Sequence, residues 1–246
     1  KEAVYSVLRT LVVPVEQSDA AIAYLLHRLS FPPTAMEELA QVLSQAPLFT
    51  DADLPHTLVA DIASTFSSIH FQMQGSNQIG IAHKGKPIAG IINQPFFKNP
   101  DGSMGRSIWG IVGVGAFGFR RQDQKSGRIL TTSRSHVTPM VQECLDAISP
   151  TEILKMGGAG NKVLQLIENN AHAYLFASRY TKKWDTCAPE AVLMALGGKL
   201  TDVHGDVLEY HADVQQENKA GVVAAVENID FYLGAIPQSI KDKLPP

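Results

Sequence analysis

Several features that mark particular protein classes are scarce in this chain. Its 246 residues include only two cysteines, Cys144 and Cys187, without metal-ligand spacing. We therefore expect reduced thiols in a cytoplasmic protein rather than a disulfide framework. No apolar run approaches the ~18 residues of a membrane span, and no charged-then-apolar signal segment opens the chain, so no membrane partner is expected. The chain begins at Lys1 rather than at methionine, which leaves its native N-terminus open.

An excess of positive charge is also absent. The formal net charge is -3, with 21 Lys+Arg against 24 Asp+Glu. This balance argues against a nucleic-acid polymer as partner, whereas a small phosphorylated ligand needs only a local positive site. The 45% of hydrophobic residues can fill the core of one large domain or of two lobes. Nothing in the composition fixes the oligomeric state.

The pattern of predicted elements changes near residue 79. Helices are predicted before residue 46, whereas strands and helices alternate from Ile79 onward, starting with a hairpin around Lys84-Gly85-Lys86. This alternation predicts a layered α/β sandwich. The predicted helices are 2–12, 18–29, 34–45, 139–148, 160–168, the segment after Asp185 and the segment after Asn228; the predicted strands are 79–83, 87–93, 107–119, 129–132, 153–156, 173–177, 199–203 and 220–226.

The most informative stretch runs from Trp184 to Gly198. Asp185 has the preference of a helix N-cap, and an apolar face of helical period follows it. The pair Gly197-Gly198 supplies a left-handed stop before the next strand. A carboxylate fixed at the start of a helix is either a cap or a ligand, and the residues alone leave both roles open. The apolar face consists of Ala188, Val192, Ala195 and Leu196.

Hydroxyl and imidazole groups follow the strand predicted at 129–132. Ser133 and His136 lie between this strand and a helix for which Thr138 is the predicted cap. Polar side chains at the carboxyl end of a strand, beside the N–H groups of a helix, suit a phosphate or a ribose. An ordinary polar connection fits the same residues equally well.

Two glycine-rich strings invite a ligand interpretation. Residues 157–162 link a strand to a helix, so their three glycines let backbone amides approach a ligand closely, and the helix start favours an anion. They do not form a Walker loop, because no Gly-Lys-Ser/Thr follows, and a plain tight turn is the alternative. Residues 113–118 match G-x-G-x-x-G, but no helix follows them, so we expect a strand that passes close to another backbone rather than a dinucleotide site.

The string Lys183-Trp184-Asp185-Thr186-Cys187-Ala188-Pro189-Glu190, followed by Gly197-Gly198-Lys199-Leu200-Thr201-Asp202, closely resembles the second signature of the inositol monophosphatase superfamily. Within these magnesium-dependent, lithium-sensitive phosphatases, the chain from Ile79 onward is most similar to the animal 3'(2'),5'-bisphosphate nucleotidases. The resemblance implies a layered α-β-α-β-α sandwich. An atypical N-terminal lobe would span residues 1–128, and a C-terminal α/β lobe would span residues 129–246.

The resemblance also implies a role for each candidate residue. Asp185 would bind magnesium and face the substrate, while Ser133, His136, Gly158 and Lys162 would contact the nucleotide. The implied reaction removes the 3'-phosphate from adenosine 3',5'-bisphosphate and gives AMP and phosphate. The resemblance also implies the sulfated analogue of this nucleotide, or an inositol polyphosphate, as further substrates.

The segment before Ile79 departs from the family pattern. Active members carry an Asp-Pro-Ile/Leu-Asp-Gly-Thr signature shortly before this strand and a Glu-Glu pair further upstream. The nearest match contains Asp61 and Thr65, which are the candidate catalytic groups, while Glu37-Glu38 reads as the solvated face of a helix. Loss of activity, a replaced N-terminal segment and a partly rebuilt site all stay open. The alternatives to the nucleotidase are an inactive nucleotide-binding or interaction homologue and an inositol polyphosphate 1-phosphatase.

Overall fold

The computed structural model describes residues 12–14, 77–123, 125–211 and 213–244. The helices predicted before residue 46 lie outside these residues, except that Val12–Pro14, where the first of them ends, is a strand. The candidate catalytic groups Asp61 and Thr65 and the Glu37-Glu38 pair also lie outside the described residues.

The first of two sheets has five strands, which lie side by side in chain order. They are β1 (Val12–Pro14), β2 (Asn77–His83), β3 (Lys86–Lys98), β4 (Met104–Ile111) and β5 (Gly115–Phe117). β1 pairs with β2 in parallel, and the other neighbours are antiparallel. Lys84 and Gly85 both have positive φ in the turn between β2 and β3, as expected for a two-residue hairpin loop.

The strands predicted at 87–93 and 107–119 come closer together in the structure than these bounds imply. β3 continues to Lys98 and β4 begins at Met104, so the turn is short, and the amide of Asn99 closes it by donating to the carbonyl of Gly105 at 2.8 Å. Residues 113–118 do not open a helix. A Cβ on Gly118 would lie 2.0 Å from the carbonyl oxygen of Ser107, which agrees with the predicted close approach of two backbones.

The second sheet has five strands in the order β7-β6-β8-β10-β9. They are β6 (Ile129–Ser133), β7 (Glu152–Met156), β8 (Ala173–Phe176), β9 (Lys199–Thr201) and β10 (Val222–Ala225). β6 is parallel to both β7 and β8, whereas β10 is antiparallel to β8 and β9. The carboxyl ends of β7, β6 and β8 therefore meet at one edge of the sheet.

Five described helices complete the fold: α1 (Pro139–Ile148), α2 (Ala159–Ile167), α3 (Lys183–Met194), α4 (Ile229–Ala235) and α5 (Gln238–Lys241). α1 has the predicted bounds, and the side chain of its N-cap Thr138 accepts from the N–H of Val141 at 3.3 Å. In the described part of the chain, no helix has the length and apolar character needed to cross a membrane.

The helices separate and cover the sheets in layers. α3 packs on β2, β3 and β4 and also contacts β9, while α2 contacts α3, β6 and β8. α1 contacts β8 and α4, and α4 contacts β10. In the strand order β7-β6-β8, the chain moves one way along the sheet from β6 to β7 and the other way from β7 to β8. Because connections between parallel strands are right-handed, α1 and α2 lie on opposite faces of the second sheet. These layers confirm the expected sandwich, while the division at residue 128 stays a prediction.

A row of glycines on the first sheet allows α3 to pack at contact distance. Gly80, Gly90 and Gly110 face one another across β2, β3 and β4. A Cβ on Gly80 would lie 2.5 Å from Cys187 Sγ, and a Cβ on Gly90 would lie 2.3 Å from the carbonyl oxygen of Ala188. No side chain fits between these strands and α3 without movement of the helix backbone.

We expect Gly90→Ala to destabilise the protein. The added methyl group would meet the backbone of α3 rather than a flexible side chain, and overpacking of this kind costs about 2 kcal/mol or more. Gly234→Ala is the matched control, because a Cβ there would have no heavy atom within 4 Å. Urea unfolding of both variants measures the difference. Equal unfolding midpoints for the two would contradict the proposed close packing.

Candidate functional site

The loops that follow β7, β6 and β8 form the candidate site. Ser133 ends β6 opposite Met156, which ends β7, so both loops leave the sheet at the same point. The N–H of Arg134 donates to the carbonyl of Met156 at 3.1 Å. A Cβ on Gly157 would lie 3.9 Å from Arg134 Nη2. The two segments predicted to contact phosphate are therefore neighbours.

His136 connects this edge to the loop after β8. Its side chain is exposed, and the centroid of its ring lies 5.0 Å from that of Tyr180, with 39° between the planes. Tyr180 follows β8, the parallel neighbour of β6. Ser133, by contrast, is buried at the end of β6. The two residues predicted from one segment thus occupy different depths of the site.

Gly158 and Lys162 lie together at the start of α2. Gly158 is the N-cap residue, with φ 75° and ψ 131°, a conformation that favours glycine. Lys162 is 4% exposed, and its ammonium group donates to the carbonyl of Gly158 at 3.0 Å. The same ammonium group lies 5.3 Å from the centroid of the Tyr174 ring. The cation is therefore buried between its own helix and β8.

The carboxylate of Asp185 interacts electrostatically with the ammonium group of Lys162. Burial lowers the pKa of Lys162 to about 8, and the nearby negative charge of Asp185 opposes that shift. Burial also raises the pKa of the Tyr174 hydroxyl, and Asp185 raises it further. The structure thus places Lys162, Tyr174 and Asp185, from α2, β8 and α3, within electrostatic reach of one another.

The prediction that Asp185 is itself the N-cap is wrong by three residues. Lys182 is the N-cap of α3, and Asp185 is the third residue of the helix. Asp185 Oδ2 accepts the backbone N–H of Lys182 at 3.0 Å, as the acidic residue of a capping box does. The carboxylate still lies in the first turn, where the helix dipole favours negative charge.

The described residues do not complete a magnesium site. Magnesium takes oxygen ligands, and a site with two metal ions needs several carboxylates. Asp185 offers one carboxylate, but within the described residues no three His, Cys, Asp or Glu side chains are grouped as metal ligands would be.

Three polar side chains near the site were not predicted. The hydroxyl groups of Thr131 and Tyr174, which are opposed in the β6–β8 register, are buried and make no hydrogen bond. Gln78 Oε1 is also buried without a hydrogen bond, and a Cβ on Gly160 would lie 2.5 Å from Gln78 Nε2. These polar side chains give no local sequence signal, because strand pairing and the packing of α2 bring them to the site.

A buried polar network lies behind the site, on the inner side of α3. The hydroxyl of Tyr210 donates to Glu190 Oε2 and lies 3.2 Å from Thr186 Oγ1. The amide of Asn218 donates to the hydroxyl oxygens of Thr181 and Thr186, at 3.3 Å in each case. These bonds join α3, directly beside Asp185, to the loops around residues 210 and 218.

Burial dominates the acid-base behaviour of this network. Burial raises the pKa of Glu190 from 4.5 to about 8, although the bond from Tyr210 and the charge of Lys183 oppose the shift. Burial lowers the pKa of Lys183, against the charge of Glu190. Glu190 is therefore protonated at neutral pH in the folded protein.

We expect the stability of the fold to fall as pH rises from about 5 to about 8. In this window Glu190 is ionised in the unfolded chain but still protonated in the folded one, so unfolding releases a proton. The loss is on the order of 2 kcal/mol between about pH 6 and about pH 8. Glu190→Gln should remove this part of the slope in urea unfolding. A variant with an unchanged slope would show that Glu190 ionises normally in the folded protein.

The profile of the inositol monophosphatase family matches residues 75–235. The 3'(2'),5'-bisphosphate nucleotidase 1 of Homo sapiens is 54% identical over 172 residues, which cover 68% of this chain and 56% of that protein. The protein of the same name from Dictyostelium discoideum is 46% identical over 168 residues, which cover 63% and 54%. This chain thus spans little more than half the length of these relatives.

A solved structure supports the fold. Inositol monophosphatase-II from Staphylococcus aureus MSSA476 matches with a TM-score of 0.52 and 16% identity, over 68% of this chain and 63% of that one. At this identity the match concerns the fold alone. The family profile, in contrast, covers well over half of the chain and includes both sheets from β2 onward and the Asp185 helix. The chain belongs to the inositol monophosphatase family.

Proposed function

We propose that this chain is a phosphoric monoester hydrolase that removes the 3'-phosphate from adenosine 3',5'-bisphosphate and gives AMP and phosphate. The observation that carries the proposal is the buried cation of Lys162 at the glycine-capped start of α2, within electrostatic reach of Asp185. The relatives named as bisphosphate nucleotidases support this class of substrate.

The start of α2 is the proposed anion-binding point. The first amides of a helix have no partner within the helix, and the dipole favours negative charge there. Gly158 lacks a side chain that would obstruct the approach of a phosphate oxygen, and Lys162 adds a point charge one turn further on. We propose that Ser133 and His136 contact the same ligand from the end of β6.

The charge of Lys162 suits this role near neutral pH. With a pKa of about 8, most of the ammonium groups are protonated at pH 7, and a bound phosphate would stabilise the proton further. The surroundings of Lys162 are poorly hydrated, so its attraction for an anion is less screened than on the surface. Binding of phosphate should therefore weaken above about pH 8.

In the proposed hydrolysis, the oxygen of a water molecule forms a bond to phosphorus while the bond to the 3'-oxygen breaks. Lys162 and the start of α2 would stabilise negative charge on the phosphoryl oxygens. Water loses a proton as it attacks, and the departing 3'-oxygen gains one to become the hydroxyl of AMP; Asp61 and Thr65 stay the candidate catalytic groups for these proton transfers. Asp185 is the proposed magnesium ligand of this chain, with its partners to come from outside the described part.

Two other functions remain as candidates. Nucleotide binding without turnover is favoured by the sequence before Ile79, which lacks the Asp-Pro-Ile/Leu-Asp-Gly-Thr signature of active members. An inositol polyphosphate 1-phosphatase would hydrolyse inositol 1,4-bisphosphate in preference to the nucleotide. Cytoplasmic location remains our proposal, supported by the free, buried thiols of Cys144 and Cys187.

We expect Lys162→Gln to weaken AMP binding about tenfold or more, because a charge-assisted contact to phosphate is lost. Lys199→Gln is the control, since Lys199 is an exposed lysine on β9, outside the three loops of the site. Calorimetric titration with AMP measures both affinities. Equal affinities for the two variants would remove Lys162 from the binding site.

Turnover tests Asp185 separately from binding. If the wild-type chain releases phosphate from adenosine 3',5'-bisphosphate in the presence of magnesium, Asp185→Asn should lower the rate about 100-fold or more. Asparagine can still accept the N–H of Lys182, so the helix start should stay intact. AMP binding by wild type without metal-dependent phosphate release would establish the binding-only alternative. Full activity of the variant would exclude Asp185 as a magnesium ligand.

A further inference from the structure

Tyr180 is a large aromatic side chain exposed at the candidate site. It is 64% exposed, and it lies in the loop between β8 and α3, beside the ring of His136. Among the described residues, Phe96 and Phe231 are also aromatic and exposed, but they lie on β3 and α4, outside the three loops of the site. The exposed face of Tyr180 is thus open at the place where the proposed ligand would lie.

The geometry of the pair limits how a ligand can use it. The ring centroids of His136 and Tyr180 are 5.0 Å apart, a distance typical of rings in direct contact, so no planar group fits between them. A flat ligand that uses the tyrosine ring therefore lies against its outer face. His136 then supports the tyrosine ring from the other side and limits its rotation.

We propose that Tyr180 is the stacking platform for the purine base of the nucleotide. This inference rests on the proposed function and assigns the base to a residue, whereas the proposed function assigns a position only to the phosphate. The loop that carries Tyr180 leads directly into α3, which bears Asp185, and its neighbour His136 follows Ser133 on β6. A base on Tyr180 and a phosphate at the start of α2 therefore occupy adjacent loops of one edge.

Stacking on Tyr180 also determines specificity. A base stacked on an aromatic side chain contributes about 1 to 3 kcal/mol, and every base has a π face. An inositol phosphate has no such face, so it gains only the contacts to its phosphate and hydroxyl groups. Tyr180 therefore favours nucleotides over inositol phosphates with the same charge.

The test compares Tyr180→Leu, Tyr180→Phe and the control Phe231→Leu, an exposed aromatic residue on α4. Calorimetric titrations use AMP and inositol 1-phosphate with each protein. We expect Tyr180→Leu to weaken AMP binding about tenfold and to leave inositol 1-phosphate unchanged, whereas Tyr180→Phe and Phe231→Leu bind both ligands as the wild type does. Proton NMR of bound AMP should show upfield-shifted adenine signals with tyrosine or phenylalanine, but not with leucine, at position 180.

The outcomes separate this inference from the proposed function. If the wild type binds AMP and Tyr180→Leu binds it equally well, the stacking platform is excluded while the nucleotide site stands. An equal loss of AMP and of inositol 1-phosphate would show a structural defect and would also exclude stacking. If the wild type binds no AMP, the proposed function fails, and the base platform fails with it.

Discussion

The contact between α3 and the glycine row of the first sheet is the constraint on which the remaining structure depends. Because Gly80, Gly90 and Gly110 have no side chains, the backbone of α3 lies directly on β2, β3 and β4. The close approach of α3 to the first sheet also determines where the next helix packs. α2 packs beside α3 and carries Gly160 against Gln78 of β2, so both helices of the site are positioned by the same sheet. The first sheet therefore positions both α2, where we propose that phosphate binds, and the Asp185 helix.

The inner side of α3 makes buried hydrogen bonds as well as apolar contacts. Glu190 and Tyr210 share a hydrogen bond in the interior, and Thr186 lies between them and Asn218. Buried polar groups of this kind fix side-chain geometry more strictly than apolar contacts, since a displaced partner leaves a buried group without a hydrogen bond. Thr186 follows Asp185 in the chain, so the network also restricts the first turn of α3.

The sequence predicts the elements of this fold better than the position of its functional groups. α1 has the predicted bounds because Thr138, Pro139 and the apolar period all agree on one start. The start of α3 was misplaced by three residues, because neither Lys182 nor Lys183 carries a capping signal and Asp185 does. Tyr174 was missed for another reason: α2 brings Lys162 to its ring, and α3 brings the charge of Asp185 near it, through tertiary packing that no local pattern encodes.

Binding and reaction depend on different parts of the chain. The groups proposed to hold phosphate and base follow the carboxyl ends of three neighbouring parallel strands, and they are positioned by the second sheet, α2 and α3. Within the described residues, Asp185 does not belong to any group of three or more side chains that could hold a metal ion. The proposed binding of a nucleotide therefore depends on groups that the described strands and helices hold in place, whereas the proposed turnover also needs acidic groups beyond Asp185.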